Sequence, residues 1–367
     1  MKILILVSSL TAGGEQRVAS LWTKGFVERG HKVSLVLGCS RHLPHTYEVP
    51  SNVSIYHLQN MFARQLFKRF GIACYYLRNL RKIIRLCAPD IIISLHHPWT
   101  EWAYEIVKDY DIPIISTEHT TFERPASAKP ISHNVLKWKY ESNKRYSAVT
   151  VLTAEDKKCL DGYLSNVYVL PNPLTYRPVL TIPPKEKIIL AVGQLHSWQY
   201  KGLDLLIRAW GKIANKYPDW KLQIAGRDRN NSKALLQKIA DEVHLGKQLE
   251  FLGFIDNMLP LYKQASVFVL SSRYEGFGVS LIEAMSQGCA CIACDYKGRQ
   301  REIIPQDDQG ILCQIDNVKD LSAAIHKMLS EEDYRKIIQQ NGIARSKHYC
   351  LENIMEKWEE IFCKIMA

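Results

Sequence analysis

Glu275-Gly276-Phe277-Gly278-Val279-Ser280-Leu281-Ile282-Glu283 places two carboxylates eight residues apart across a Gly-Phe-Gly turn that opens a helix. Small residues let the backbone approach a ligand closely, and the free amides of a helix start point at whatever anion lies there. The stretch therefore reads as a phosphate cradle flanked by acids. Glu283 falls just over one turn into the helix expected to begin near Val279, so it can face back toward the same ligand and accept from paired hydroxyls such as those of a ribose. A nucleotide sugar fits that combination.

Outward from this stretch, short apolar runs alternate with helical periodicity, the pattern of parallel sheets covered by helices. Strands are expected at 3–7, 33–37, 91–95, 112–117 and 149–153, then, after a break, at 188–192, 222–225, 249–252, 267–270 and 290–293. The break, 171–184, holds five prolines, Pro171, Pro173, Pro178, Pro183 and Pro184, which exclude a regular helix and mark an interdomain linker. A chain of 367 residues is too long for one compact core. The expected domains are 1–175 and 176–345, with a C-terminal helix over 346–367 packing back on the first.

Composition is that of a soluble globular protein. The run 3–7 is far shorter than a membrane span, and Gly13-Gly14 arrives where a signal peptide would still be apolar, so the expected compartment is the cytosol. Ten cysteines without regular spacing suggest reduced thiols. The one cluster, Cys289, Cys291 and Cys294, runs through an expected buried strand and reads as apolar packing before it reads as zinc. Residues 1–180 carry 23 Lys or Arg against 14 Asp or Glu, and the remainder 25 against 23, so nearly all of the net +11 sits in the first half. It concentrates in 64–85, where Arg64, Lys68, Arg69, Arg78, Arg81, Lys82 and Arg85 occur with no acid and with aromatic residues between them. Such a segment reads as a surface for anionic lipid, against the plainer reading of a solvated basic helix face. No nucleic-acid motif accompanies it, so no nucleic-acid partner is expected.

Three further loops sit at expected strand exits, the edge of a doubly wound sheet where ligands bind. Gly13-Gly14 follows the first strand. Glu118-His119-Thr120 follows the strand at 112–117, where a histidine can donate to a sugar hydroxyl or hold a developing charge. Lys201-Gly202 lies in the loop after the first strand of the second half, where a lysine can neutralise a diphosphate. Asp109-Tyr110-Asp111 has the two-carboxylate look of a metal holder but ends a helix before Pro113, so no metal is expected there.

Taken together these residues resemble the retaining glycosyltransferases of family four, whose GT-B architecture is two facing Rossmann-like domains with an interdomain cleft. The resemblance spans the chain. It is carried by Gly13-Gly14 with Arg17, Glu118-His119, Pro171-Asn172-Pro173, Val192-Gly193 with Lys201-Gly202, Gly253 with Asp256 and Asn257, and Ser271-Ser272-Arg273-Tyr274-Glu275 through Glu283-Ala284. It implies that Glu283 binds the donor ribose, that the amides of Gly276, Phe277, Gly278, Val279 and Ser280 serve sugar and diphosphate, and that Glu275 sits beside the transferred sugar. Lys201 would hold the diphosphate, the Gly14 backbone would approach the donor, and His119 would contact the sugar near the reacting centre. The implied donor is a UDP-hexose or UDP-N-acetylhexosamine, with no cofactor. The implied acceptor is a lipid-linked or surface glycan, of the lipopolysaccharide or capsule kind, met at the inner face of the cell membrane. Two positions depart from the family: Gln194 stands where Arg is common, and Gln16 where Glu is common. The first removes a cation from the diphosphate site and leaves Lys201 to act with help from His196 or Arg273. It also keeps open a catalytically idle protein of the same architecture; a nucleotide-sugar epimerase shares the two domains but does not need the Glu275 to Glu283 spacing.

Overall fold

The computed structural model of the chain describes residues 1–11, 13–40, 46–59, 72–95, 97–124 and 130–366. They form two compact units, one of Met1–Phe122, Ile131–Thr175 and Leu351–Ala367, the other of Glu123–Pro130 and Tyr176–Cys350.

The first unit is built on a seven-stranded sheet in the order β3-β2-β1-β4-β5-β6-β7. Its strands are β1 (Lys2–Val7), β2 (Lys32–Ser40), β3 (Ser54–Gln59), β4 (Ile91–Ser94), β5 (Ile114–Thr117), β6 (Ala148–Val151) and β7 (Val167–Val169). The second carries a six-stranded sheet, β10-β9-β8-β11-β12-β13, from β8 (Glu186–Val192), β9 (Lys221–Ala225), β10 (Leu249–Gly253), β11 (Ala265–Leu270), β12 (Ala290–Asp295) and β13 (Ile311–Gln314). Every pairing within both sheets is parallel. The central strands are near-continuous apolar runs, Ile3 to Val7 and Val267 to Leu270 among them, because helices cover both faces and leave no solvated side to alternate toward. In each sheet the order reverses beside the first strand, between β1 and β4 and between β8 and β11, which makes the carboxyl ends of those strands the ligand-binding edge.

The sequence reading finds the nine interior strands and the edge strand β10, and misses β3, β7 and β13. All three are edge strands, where one flank is open and a polar residue costs little, so Ser54-Ile55-Tyr56-His57-Leu58-Gln59 shows no apolar run. No helix or strand interrupts the residues between β7 and β8, in agreement with their prolines.

The C-terminal helix, Leu351–Met366, belongs to the first unit. It buries Ile354, Met355, Trp358, Ile361 and Phe362 against the helix Gly14–Glu28, with Trp358 meeting Trp22 edge-on at 5.0 Å between ring centroids. His31 Nε2 meets Glu359 Oε1 at 2.9 Å, and Arg29 donates to the Glu352 carbonyl.

Candidate active site

In the second unit the loops leaving β8 and β11 are bolted together. Gly202 has φ +61, and a Cβ there would lie 1.9 Å from the Ser271 carbonyl oxygen, so only glycine allows the loops to approach this closely. Ser271 Oγ donates to the Lys201 carbonyl at 3.0 Å and the Arg273 amide donates to the Tyr200 carbonyl at 2.8 Å. This clamp carries Lys201, last residue of the short helix Trp198–Lys201, to Glu275: Nζ donates to Oε1 at 2.6 Å, and Ser272 Oγ donates to the same oxygen at 2.6 Å.

The Gly-Phe-Gly turn then enters the helix Val279–Ser286, where the sequence places it, with Gly278 at φ +100. Phe277 turns inward, against Tyr349. Glu283 is 5% exposed and its Oε2 accepts from Tyr262 Oη at 2.9 Å. Burial, with the Glu283 charge beside it, pushes the Tyr262 hydroxyl far above its ordinary pKa, so it stays a donor.

Gln194, at the exit of β8, is exposed. Of the two residues expected to assist Lys201 in its place, Arg273 is already committed. Its guanidinium forms a two-pronged pair with Asp204 at 2.8 and 2.8 Å, bonds Asp316 at 2.6 Å and reaches the Gln199 carbonyl. The Asp204 hydrogen bonds hold it well above the usual arginine range. Arg273 is a structural clamp rather than a spare cation. His196 is half-buried, its Nδ1 has no hydrogen-bond partner among the described residues, and its charge interaction is with the Asp228 carboxylate.

At the exits of β9 and β10, Arg227 lies over the ring of Phe254, 4.3 Å from its centroid, and Phe254 is 47% exposed. The sequence reading passes over this flat platform; a phenylalanine directly after Gly253 at a strand exit was its one signal.

In the first unit the carboxyl ends of β1 and β5 hold the candidate residues. Gly14 opens the helix Gly14–Glu28, and among the described residues nothing would lie within 4 Å of a Cβ there. Gln16, where the family commonly has Glu, folds back so that Nε2 donates to Ser8 Oγ at 2.7 Å. Beyond β5, Glu118 is 3% exposed and pairs with Lys139 at 3.0 Å, equally buried, whose ammonium also donates to Thr120 Oγ1 at 3.1 Å and lies over the Phe122 ring at 4.1 Å. Burial raises the Glu118 carboxyl despite that lysine.

His119 is held by Thr117 Oγ1 at 3.1 Å from Nε2, with the Trp22 ring at 5.6 Å and Asn172 beside it. Burial depresses its pKa to about 4, so it is neutral at pH 7. A neutral imidazole can hydrogen-bond a hydroxyl but brings no charge of its own. Glu15, which the sequence reading does not single out, has its carboxyl pushed up to about 7 by burial and by the Glu118 charge.

The other expectations fall away from these edges. Asp109 and Asp111 are exposed on the turn before β5, at the amino end of the strand. Among the described residues no group of three His, Cys, Asp or Glu could hold a metal. Cys289, Cys291 and Cys294 are buried in and before β12, with burial pushing the Cys289 thiol up to about 11. Arg78, Arg81, Lys82 and Arg85 all lie exposed on the helix Ile72–Cys87; Arg64, Lys68 and Arg69 are outside the described residues. Of the aromatic residues, Phe62, Phe67 and Phe70 are also outside the described residues, and Tyr76 does not share that face. Tyr76 stacks on Trp102 at 5.6 Å and, with Leu77, packs on the core beside Leu80, Ile83 and Ile84. Among the described residues no helix is long and apolar enough to cross a membrane.

Residues 174–345 match the family described as Glycosyl transferases group 1, and residues 12–175 match Glycosyltransferase Family 4. The chain is similar to an α-1,4-N-acetyl-D-galactosaminyltransferase of Campylobacter jejuni named for an undecaprenol diphosphate-linked acceptor, at 24% identity over 100% of this chain and 99% of that one. It is also similar to the amylovoran biosynthesis glycosyltransferase AmsD of Erwinia amylovora, at 29% identity over 98% and 99%. A TarM variant of S. aureus, solved with fondaparinux, α-GlcNAc-glycerol and UDP, shares the fold at a TM-score of 0.80 and 14% identity, over 98% of this chain and 99% of that one.

Proposed function

Since the chain belongs to the glycosyltransferases of GT-B fold, with a family 4 first half and a group 1 second half, we propose that it moves a hexose or N-acetylhexosamine from a UDP-sugar to a lipid-linked or surface glycan with retention of configuration. The observation that carries the reading is the Lys201 and Glu275 pair set beside the helix start at Val279, with Glu283 buried one turn further on. A departing diphosphate needs positive charge and oriented amides more than it needs a base, and a polar site fixed before reaction supplies them without reorganisation. Lys201 is the cation and Val279 and Ser280 lend the amides. Glu283 takes the ribose hydroxyls and Glu275 the transferred sugar. In the first unit, neutral His119 and the Gly14 backbone are the residues that the family resemblance gives to sugar contact. The UDP in the TarM variant and the undecaprenol-linked acceptor in the Campylobacter relative's name support the choice of substrates.

No cofactor enters this reading. The exposed basic face of the helix Ile72–Cys87 holds the enzyme to anionic lipid on the cytoplasmic side, where its acceptor is anchored.

The test is transfer from UDP-glucose, UDP-galactose, UDP-GlcNAc and UDP-GalNAc to an undecaprenyl diphosphate-linked oligosaccharide, with the anomeric proton coupling of the product read by NMR. An α-linked product from one donor is expected. Binding of a UDP-sugar with neither transfer nor hydrolysis would instead favour the idle protein that the exposed Gln194 and the committed Arg273 keep in play.

A further inference from the structure

At the amino-terminal edge of the first sheet, opposite the strand exits described above, the first unit holds a cavity of about 320 Å³. Its walls come from the end of the helix His97–Val107, the turn before β5, the residues before β6 and the end of the C-terminal helix. β5 is four residues long, so roughly 10 Å of strand separates this edge from the carboxyl one. Tyr104 and Tyr146 meet edge-on in the cavity, with ring centroids 6.0 Å apart, and the Arg145 guanidinium lies over the Tyr104 ring at 5.0 Å. Tyr110 also lines it and is 61% exposed. Its backbone is pinned on both sides: the amide donates to the Val107 carbonyl at 2.8 Å, and the carbonyl accepts from the Ile112 amide at 2.8 Å. A tyrosine exposed on a pinned turn offers contact area at small entropic cost.

The charges around these rings narrow the ligand. Lys108 and Arg145 line the cavity, but both are already paired, Lys108 with Glu105 at 2.8 Å and Arg145 with Glu101 at 3.5 Å and Glu105 at 3.7 Å. Asp111 in the lining adds a third carboxylate to the two cations, so an anion such as phosphate would meet net repulsion. Ser147 Oγ accepts from the Ile114 amide at 3.3 Å, which leaves its own proton to donate. The cavity therefore combines flat apolar rings with donors and acceptors and no surplus of positive charge. A pyranose has the matching surfaces: a face of C–H bonds to pack on a tyrosine ring, and hydroxyls around its rim to exchange hydrogen bonds with carboxylate, hydroxyl and guanidinium.

We propose that this cavity is a second, noncatalytic glycan site of the first unit, taking neutral pyranose residues with Tyr110 as the platform and Asp111 and Ser147 as hydroxyl partners. Its volume stands at the lower end of the roughly 300 to 1,000 Å³ of small-molecule sites, room for about one or two sugar residues. The proposal is independent of the donor cradle, and a glycan held at the amino edge leaves the carboxyl edge of the same sheet free.

The experiment follows hydrogen exchange and ligand-observed NMR of the full chain with maltotriose and with chitotriose, each at about 10 mM so that a millimolar Kd is reached. At least one of them should slow exchange over 107–114 and 145–148 and bind saturably. Tyr110→Ala removes an exposed ring and should leave the thermal melt unchanged while weakening that binding at least about threefold, the worth of one aromatic contact. Tyr110→Trp should restore it. Inorganic phosphate, run alongside, should leave exchange in both segments unchanged. Absence of protection by either trisaccharide, a smaller loss in Tyr110→Ala, no recovery in Tyr110→Trp, or protection by phosphate in place of sugar would overturn the proposal. Binding is read without transfer, so each of those outcomes leaves the transferase reading standing.

Discussion

Lys201 Nζ lies 2.6 Å from Glu275 Oε1, although the two residues leave different strands of the second sheet and stand 74 positions apart. Their side chains are 24% and 14% exposed, so the pair is shielded but still open to exchange. On the proposed reading, an arriving diphosphate would give Lys201 a second anion to pair with. Lys201→Met should therefore lower turnover by roughly 10²-fold to 10³-fold, the range for losing one preorganised stabiliser of developing charge, with the fold intact. Paired thermal melts and single-turnover rates decide it: equal losses of stability and rate would make the pair structural.

Glu283→Gln replaces a carboxylate oxygen by an amide facing the ribose, and should weaken UDP binding by roughly 1.5 to 3 kcal/mol, the cost of a hydrogen bond to a charged group. Tyr262→Phe leaves the carboxylate in place and removes only its 2.9 Å donor, so a smaller loss is expected. Calorimetry with UDP compares the two, and an unchanged Kd for Glu283→Gln removes the ribose assignment.

Arg273→Ala separates clamp from cation. It strands Asp204, a mostly buried carboxylate, and should cost at least about 2 kcal/mol of unfolding free energy, at the lower end for breaking a partly exposed ion pair. Urea denaturation reads the stability. UDP affinity among the folded fraction should hold steady; a drop in affinity with stability preserved would return Arg273 to the diphosphate site.

The extent to which the site was legible follows from what each residue does locally. The Glu275 to Glu283 stretch announces itself because turn, helix start and both acids are contiguous, and Lys201-Gly202 is found because the glycine is demanded by a contact to Ser271 that only a strand-exit loop makes. Glu15 escapes attention because a glutamate in a first helical turn is ordinary, and what raises its carboxyl is burial together with the charge of Glu118, distant in sequence. The segment 64–85 misleads in the opposite way. Its aromatic and basic residues are mixed along the chain, yet on the helix Ile72–Cys87 the 3.6-residue turn sorts them, Tyr76 to the core and Arg78, Arg81, Lys82 and Arg85 to the surface.

Glu15 and His119 pull stability in opposite directions with pH. Glu15 is raised from 4.5 to about 7, so the folded state holds a proton that the unfolded chain releases, and stability falls as pH rises across that window. His119 is lowered from 6.5 to about 4, so the unfolded chain binds a proton that the folded state refuses, and stability falls as pH drops from 6.5 to 4. Each effect is on the order of 3 kcal/mol at its far side. Glu15→Gln should accordingly raise stability at pH 8 and change it little at pH 4.5, while His119→Asn should flatten the acid side. Denaturant midpoints at pH 4.5, 6 and 8 test both signs; a Glu15→Gln protein no more stable at pH 8 would mean its carboxyl is not raised.

The sorting on the helix Ile72–Cys87 also changes what membrane binding should look like. With Tyr76 and Leu77 packed on the core, the described part of this helix exposes Arg78, Arg81, Lys82 and Arg85 and, among its large apolar residues, only Leu86. The proposed attachment through that face would be electrostatic, about 1 kcal/mol per basic residue near anionic headgroups, and would decay within a Debye length of about 8 Å at physiological salt. Co-sedimentation with phosphatidylglycerol vesicles should therefore be strong at low salt, weak at 0.5 M salt and absent with neutral lipid. The variant carrying Gln at all four positions should stay in solution while transfer to a soluble acceptor continues, since those residues lie in the first unit and the donor cradle in the second. Sedimentation that persists in high salt, or in the four-fold variant, would show that some other surface makes the contact and that this face meets only water.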